Sequence, residues 1–197
     1  MKLHHFYHVY QSGNWETPVA EHAKALVDSG LADELDNIKL GIVGIDALGP
    51  CTVFLDHGID PLVVANSPYQ WEQLTMKAMR RWAVSNDGAV LYAHTKGSYN
   101  VSEFNDMWRR SMTYYNVIKW REAVSHLSMA DTVGCHWCQD HFWGGTYWWA
   151  TVKYIKSLPE LDMTNRWKAE EWIGERNPRI YDMNPGWPSE GLFTTSW

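Results

Sequence analysis

Residues 94–98 of this 197-residue chain combine a lysine, a histidine and a glycine directly after an apolar run at 89–93. A lysine ammonium is a compact charge that binds phosphate well, and glycine lets a backbone approach a ligand closely. Because the segment follows a predicted buried strand, Lys96 and His94 are candidate contacts to a diphosphate. The alternative is an exposed turn with a solvated lysine, since the segment is not a Walker loop.

A second segment, 141–149, contains five aromatic residues around a Gly-Gly pair. Aromatic rings provide apolar area and an electron-rich face, which suits a sugar ring. The alternative is a core position at the start of a helix, and we expect one or both of Trp148 and Trp149 to pack inward. The residues predicted to contact a sugar or an acceptor are His141, Trp143, Gly144, Gly145 and Trp148.

Two adjacent carboxylates, Glu170 and Glu171, lie beside Trp172 near the end of the chain. Adjacent residues on a helix point about 100° apart, so only one of the two can face a cleft. A carboxylate on a half-buried helix would have a raised pKa and would suit a general base. The alternative is a solvated acidic pair, and Asp131 is a lesser base candidate.

The composition is typical of one globular domain, with 45% hydrophobic and 20% charged residues. A net charge of −6 argues against a generic polyanion binder. Three cysteines make no disulfide framework, which predicts a cytoplasmic protein, and Cys135 and Cys138 supply only half of a zinc site. No apolar stretch is long enough for a membrane span.

Predicted strands and helices alternate, which favours an α/β fold with a mostly parallel sheet flanked by helices. Ligands of such folds bind at the carboxyl ends of the strands, where residues 94–98 would lie. We predict one domain over 1–174 and an irregular C-terminal arm, packed on the domain, over 175–197. The predicted strands are 3–10, 38–45, 52–55, 62–65, 89–94 and 131–135. The predicted helices are 17–28, 69–84, 104–127, 147–158 and 165–173.

Ordered short motifs across residues 4–174 make the chain similar to a known group of proteins. They are Tyr7-His8-Val9, Asn14-Trp15, Ser29-Gly30-Leu31, Tyr92-Ala93-His94-Thr95-Lys96-Gly97, Trp108-Arg109, Tyr114-Tyr115-Asn116, the run 141–150 and the run 169–174. In this order they resemble the short GT-A-like glycosyltransferases of bacteria, phages and large DNA viruses. The sequence departs from that pattern at Trp143, where the group has serine, and at 145–146, where it has Asn-Phe. The preference for sugar or acceptor is therefore expected to differ.

The resemblance implies a GT-A-like, Rossmann-like single domain and a nucleoside-diphosphate sugar, such as a UDP sugar, as donor. Lys96 and His94 would steady the departing diphosphate, and Glu170 would be the acidic residue of the last motif and the catalytic base. The residues that would bind the nucleotide are Tyr7, His8, Val9 and Lys96.

Many nucleotide-sugar transferases hold a divalent metal through an Asp-x-Asp pair, and this sequence has none. We therefore predict that protein side chains alone form no metal site. Whether an Mn²⁺ or Mg²⁺ ion binds together with the donor diphosphate is left open. The acceptor would be a glycan or a modified DNA base. In the DNA version, phosphates would be contacted by Arg80, Arg81, Arg109 and Arg110. A non-catalytic carbohydrate-binding module is the alternative function.

Overall fold

A computed structural model describes residues 1–139, 141–186 and 188 of the chain. The strands are β1 (Leu3–Tyr10), β2 (Leu35–Val43), β3 (Leu62–Ser67), β4 (Ala89–His94), β5 (Thr132–Gly134), β6 (Trp137–Cys138), β7 (Phe142–Trp143), β8 (Trp148–Thr151) and β9 (Ile180–Asp182). The helices are α1 (Glu16–Asp28), α2 (Leu48–Leu55), α3 (Gln73–Ala83), α4 (Glu103–Thr113), α5 (Trp120–His126), α6 (Val152–Ser157) and α7 (Lys168–Trp172). A 3-10 turn covers Ala32–Glu34 and a π-helical turn covers Tyr114–Ile118.

Seven strands form one mixed sheet in the order β3-β2-β1-β4-β8-β5-β9. Neighbours pair in parallel from β3 to β4 and between β5 and β9, whereas β8 runs antiparallel to both β4 and β5. Helices cover both faces of this sheet. The predicted class, an α/β domain with a mostly parallel sheet flanked by helices, is therefore confirmed.

The side-chain period of two in a strand sends neighbouring residues of β1 to opposite faces. Tyr7 and Val9 join one core cluster, with residues of α1, α2 and α5, while Phe6 joins a second cluster with residues of α3, α6 and α7. Trp148 and Trp149 divide between the two clusters in the same way. Both faces of the central strands are buried, which explains their nearly continuous apolar sequence.

The chain order reverses beside β1, because β2 and β3 lie on one side of it and β4 lies on the other. The carboxyl ends of β1 and β4 meet here, and His8 pairs in register with His94. In open α/β sheets such a reversal opens a crevice beyond the strand ends. The fold thus places the sequence-predicted 94–98 loop at the expected edge of the sheet.

Residues 52–55 are not the predicted strand, because they form the last turn of α2. Oδ1 of Asp46 accepts hydrogen bonds from the backbone N–H groups of Leu48, at 2.9 Å, and Gly49, at 3.1 Å. These bonds satisfy donors that a helix leaves unpaired at its start. The local apolar run was compatible with a strand, but the cap upstream of it favours a helix.

The predicted helix 147–158 is also corrected, since its first part is β8 and only Val152–Ser157 is helical. Trp148 and Trp149 pair with Tyr92 and Leu91 of β4, an alignment that no local pattern reveals. Thr151 then caps α6, because its hydroxyl accepts a hydrogen bond from the N–H of Tyr154.

The predicted irregular arm, 175–197, contains a strand, because Ile180–Asp182 adds β9 to the sheet beside β5. The rest of that prediction, at residue 187 and at residues 189–197, lies outside the described residues. Within the described part of the chain, no helix has the length and apolar character that a membrane crossing requires.

Candidate functional site

A cleft of about 540 Å³ opens at the carboxyl ends of β1 and β4. This volume falls in the range of small-molecule sites, which is roughly 300–1,000 Å³. Its described lining comes from four parts of the chain: the end of β1, the start of α3, the segment after β4 and the region of α7. The lining residues are His8, Tyr10, Trp71, Glu72, His94, Thr95, Lys96, Gly97, Ser98, Tyr99, Asn100, Asn105, Arg166, Trp167 and Glu170.

Two histidines line the base of the cleft, and both are neutral at neutral pH. Burial lowers the pKa of His8 to about 3 and that of His94 to about 4. Nε2 of His94 lies 2.8 Å from the carbonyl oxygen of Gly145 and must donate to it, since a carbonyl only accepts. Nδ1 of His94 therefore carries the lone pair, so this ring can accept a hydrogen bond but does not supply a positive charge.

The 94–98 segment is fixed to β1 by backbone and hydroxyl contacts. The N–H of Thr95 donates to the carbonyl oxygen of His8 at 3.0 Å, and Oγ1 of Thr95 accepts from the N–H of Tyr10 at 2.9 Å. Gly97 adopts a φ of +85°, a conformation that disfavours any residue with a side chain. The loop is thus a built element rather than a loosely tethered turn.

Arg109 supports the same loop from beneath. Its Nη1 donates to the carbonyl oxygen of Lys96 at 3.0 Å and to Oδ1 of Asp106 at 2.8 Å. Its Nε and Nη2 donate to Oε2 of Glu21 at 3.1 and 2.8 Å. Arg109 is only 3% exposed, so this guanidinium positions the lysine backbone and is occupied by carboxylates of the chain itself.

Lys96 lines the cleft, and its Nζ lies 3.9 Å from the centroid of the Trp108 ring, which is outside the described lining. Burial lowers the pKa of this ammonium, while the charges of Glu170 and Glu72 raise it. These interactions place one cation and two carboxylates within electrostatic range in a partly desolvated space. Such charges interact more strongly than they would in bulk water.

The cleft is also lined by residues at the starts of α3 and α7, which we call the helix wall (Trp71, Glu72, Arg166, Trp167 and Glu170). The two segments are joined by the buried side chain of Gln73, whose Nε2 donates to the carbonyl oxygen of Asn165 at 2.8 Å. Because of this contact, carboxylates far apart in sequence face the same space.

Both carboxyl groups of the helix wall hold their protons more tightly than usual. Burial raises the pKa of Glu72 to about 7, against a hydrogen bond from the hydroxyl of Tyr92 to its Oε2 at 3.1 Å. Burial and the nearby charge of Glu72 raise the pKa of Glu170, while Lys96 lowers it. The Glu72 carboxyl can therefore exchange a proton near neutral pH, and the raised pKa of Glu170 makes its carboxylate a stronger base than usual, which suits general acid–base chemistry.

The two glutamates of the 170–171 pair face different surroundings. Glu170 lines the cleft, whereas Oε2 of Glu171 pairs with Nζ of Lys168 at 2.6 Å on the helix surface. The two side chains therefore point in different directions, as expected for adjacent residues of a helix. The catalytic role of Glu170 stays a prediction.

Sequence reasoning missed the whole α3 part of the helix wall, including Glu72, and the segment at Arg166 and Trp167. A local signal existed in Trp71-Glu72, an aromatic–acidic pair at the start of an amphipathic helix. Tertiary packing of α3 against the α7 region, which includes the Gln73 contact, brings it to the other site residues.

The sequence predicted sugar contacts by residues of 141–149, and the structure places the two tryptophan rings of this set in the core. Trp143 and Trp148 are fully buried in the core. The indole N–H of Trp143 donates to Oγ1 of Thr132 at 3.0 Å, and Trp148 stacks on Tyr92 with centroids 5.2 Å apart. Neither ring has a free face in this structure. The side chain of Trp148 on β8 and that of Trp143 in the β6–β7 hairpin both point into the core.

His141, Gly144 and Gly145 are likewise absent from the described lining of the cleft. His141 is exposed, and its backbone packs against Gly174. A Cβ at position 174 would lie only 1.7 Å from the carbonyl oxygen of His141. Gly144 and Gly145 are both buried, and the carbonyl oxygen of Gly145 accepts a hydrogen bond from the His94 ring. Gly145 therefore supports His94, which lines the cleft.

Of the three residues predicted to bind the nucleotide along β1, only His8 lines the cleft. Tyr7 and Val9 are fully buried on the opposite face of the strand, where Tyr7 stacks on His22 at 4.3 Å between centroids. The side-chain period of the strand requires this separation. Tyr10, which follows in the same phase as His8, lines the cleft instead.

The arginines considered for DNA phosphates do not form a free basic patch. Arg109 is buried, and Nη2 of Arg110 pairs with Oε1 of Glu21 at 3.0 Å. Nε of Arg80 donates to the carbonyl oxygen of Leu158 at 3.1 Å, and Arg81 lies beside it on α3. Two of the four charges are thus neutralised within the protein.

A divalent ion can be tested against the residues present. Within the described ranges, no group of three or more His, Cys, Asp or Glu side chains could hold a metal. Ions bound with a nucleotide diphosphate need only one or two protein carboxylates, since phosphates and water complete the shell. Glu72 and Glu170 fit that partial role.

Comparison with known proteins agrees with this geometry at the level of the fold. A family model described as "Domain of unknown function (DUF8361)" matches residues 62–184. No curated protein matches the chain in sequence.

Two solved structures share the architecture. One is a protein of Desulfovibrio desulfuricans G20 described as a nucleotide-diphospho-sugar transferase, with a TM-score of 0.52 and 15% identity over 94% of this chain and 80% of that chain. The other is HddC from Yersinia pseudotuberculosis, with a TM-score of 0.54 and 9% identity over 92% of this chain and 90% of that chain. The predicted GT-A-like fold is therefore confirmed, and at these identities the likeness concerns the fold alone.

Proposed function

This chain belongs to the family described as a domain of unknown function (DUF8361), and we propose that it is a glycosyltransferase that moves a sugar from a nucleoside-diphosphate sugar to a hydroxyl acceptor. The main support is one juxtaposition. Lys96 and two carboxylates with raised pKa values, Glu72 and Glu170, line one cleft at the strand-order reversal. A cation there can stabilise a leaving diphosphate, and a carboxylate can take a proton.

In the proposed reaction the diphosphate of the donor lies against Lys96 and the 97–100 backbone. For an inverting transfer, the acceptor oxygen attacks the anomeric carbon while the bond from that carbon to the diphosphate oxygen breaks. The acceptor proton goes to the carboxylate of Glu170, and the ammonium of Lys96 stabilises the charge on the departing diphosphate. His94 is neutral and is held by the Gly145 carbonyl, and its Nδ1 accepts a hydrogen bond from the nucleotide sugar.

Glu72 has a positioning role in this scheme. Its negative charge raises the pKa of Glu170, so Glu170 is a stronger base than an isolated carboxylate. If the donor brings Mn²⁺ or Mg²⁺, Glu72 would hold the ion, which would neutralise charge on the diphosphate, and Glu170 would remain the base.

The test is a calorimetric and thermal-unfolding screen of UDP, GDP, CDP, ADP and TDP, each with and without Mn²⁺ or Mg²⁺. At a hundredfold excess over its dissociation constant, a bound nucleotide stabilises the folded state by about 2.7 kcal/mol. Lys96→Ala is expected to weaken binding of the matching diphosphate at least tenfold and to affect the free nucleoside little.

Lys119→Ala is the matched control, since Lys119 also lies over an aromatic ring, that of Tyr114 at 5.9 Å, but away from the cleft. It should leave nucleotide binding unchanged. The proposal fails if no nucleotide binds at millimolar concentration. Binding of glycans without any nucleotide would instead support a carbohydrate-binding module, which the exposed rings Trp71, Tyr99 and Trp167 would also serve.

A further inference from the structure

Aromatic side chains line the cleft from two parts of the chain, and only one of the two sets has carboxylates beside it. Tyr10 and Tyr99 lie on the loop side, with ring centroids 6.5 Å apart. Trp71 and Trp167 lie in the helix wall together with both carboxylates. Large aromatic side chains that remain exposed beside a polar cleft are candidate ligand contacts, since they leave apolar area to be covered.

We propose that Trp71 and Trp167, with Arg166, form a carbohydrate subsite that holds the acceptor sugar against Glu72 and Glu170. The inference rests on the proposed function and specifies the substrate class of the same cleft. No residue of the helix wall before Glu170 was assigned a role from the sequence.

Each of the two indoles is close in sequence to a carboxylate of the helix wall. Trp71 directly precedes Glu72 at the start of α3, and the carbonyls of these two residues accept the first helical hydrogen bonds, from Leu74 and Thr75. Trp167 is three residues before Glu170 at the start of α7, a spacing that puts both side chains on one face of a helix. A ring resting on the Trp167 indole would therefore present its hydroxyls to Glu170, while Trp71 and Glu72 both line the same cleft.

The exposure of the two rings fits a ligand rather than a core. Trp71 is 46% exposed and Trp167 is 54% exposed, whereas Trp143 and Trp148 are fully buried. The guanidinium of Arg166 lies 4.2 Å from the centroid of the Trp167 ring, which fixes the indole and adds donors beside it. Donors, acceptors and an apolar face together match a pyranose, which has hydroxyls around its edge and C–H groups on its faces.

The acceptor belongs on this side because its hydroxyl must give its proton to a carboxylate. The diphosphate belongs near Lys96 and the loop, which leaves Tyr10 and Tyr99 for the nucleoside. The charges also favour a carbohydrate over DNA, because the helix wall has two carboxylates and one cation, Arg166, and because Arg109 and Arg110 are already paired with Glu21.

The experiment is saturation-transfer NMR on the full chain, saturated with the diphosphate that binds best in the nucleotide screen. The probes are the methyl α- and β-glycosides of glucose, galactose, mannose, rhamnose, xylose and N-acetylglucosamine, and a short DNA duplex. We expect transfer to at least one glycoside, and apparent affinity about tenfold lower in Trp71→Ala and in Trp167→Ala, while Trp71→Phe and Trp167→Phe retain part of it.

Tyr181→Ala serves as the control, because Tyr181 is a partly exposed aromatic residue of β9 that is not among the cleft lining. It should bind the same glycoside as the wild type. Calorimetry with the nucleotide confirms that each tryptophan variant is folded, and we expect its affinity to be unchanged.

Three results would overturn the inference: no glycoside receives saturation, glycoside binding is equal in wild type and both alanine variants, or the duplex binds and loses affinity in those variants. The proposed function is judged separately, by nucleotide binding to the wild type. Glycoside binding that depends on Trp71 and Trp167 without any nucleotide binding would retain the carbohydrate subsite and reject the transferase.

Discussion

The hydroxyl of Tyr92, on β4, donates a hydrogen bond of 3.1 Å to Oε2 of Glu72, at the start of α3. The bond joins the central sheet to the helix wall. It stabilises the carboxylate form, so it partly opposes the burial that raises the pKa of Glu72 to about 7. The protonation state of one cleft carboxyl is thus controlled by a residue below the cleft.

Tyr92→Phe should therefore raise the pKa of Glu72 above its value of about 7, since the burial remains and the donor is lost. Carbon-detected NMR titration of the glutamate side chains measures this directly, and Glu72→Gln identifies the resonance. An unchanged or lower midpoint in Tyr92→Phe would show that the hydroxyl does not act on this carboxyl group.

Arg109→Met should destabilise the fold by about 3–5 kcal/mol, because it removes a buried cation that pairs with Glu21 and Asp106. Arg110→Ala is the matched comparison. Its half-exposed pair with the same Glu21 should contribute less than about 1 kcal/mol. Urea unfolding of both variants separates the cases, and equal losses would contradict the buried supporting role of Arg109.

Gly13→Ala should both destabilise the protein and weaken nucleotide binding. A Cβ at Gly13 would lie 2.0 Å from the carbonyl oxygen of Ser98, so the loop must move. Gly58 also has a positive φ, of +77°, but open space around its Cβ position. Gly58→Ala should thus cost only the backbone strain, about 1–2 kcal/mol, with unchanged nucleotide affinity. Thermal unfolding and calorimetry provide both readouts.

Trp143→Ala should act on stability, with a loss of about 3–5 kcal/mol, because its ring fills the core. Trp167→Ala should cost less than about 1 kcal/mol, since its side chain is largely exposed. Urea unfolding measures both. If Trp143→Ala kept full stability and lost glycoside binding, that result would support the sugar contact predicted from the sequence and contradict the core role.

Local patterns were sufficient for the central strands and for the loop. The sequence predicted β1 at 3–10 and β4 at 89–94 because apolar runs bounded by turn residues are a strong signal. It also predicted a helix from residue 104, close to the observed start of α4 at Glu103, where the Ser102 hydroxyl accepts a hydrogen bond from the N–H of Asn105. From the alternation of elements it predicted the sheet, and hence that Lys96 lies at a strand end.

The face to which each side chain points was not predictable in the same way. Tyr7, His8 and Val9 belong to one motif, yet the strand turns only His8 towards the cleft. The phase is decided by packing against α1 on one side and α3 on the other. Likewise Trp143 reads as a ligand-facing aromatic residue until the pairing of β6 with β7 buries it.

The sequence by itself therefore determined the α/β class, the edge of the sheet where chemistry would occur, and the cationic loop, because each depends on residues close together in the chain. Only the tertiary structure decided which carboxylates and which aromatic rings share that space with Lys96. Glu72 and Glu170 line one cleft because α3 packs with α7 in one core cluster, and Gln73 adds a long-range hydrogen bond to the backbone at Asn165. Contacts of this kind leave no periodic pattern in the sequence, since they depend on how the segments fold against one sheet.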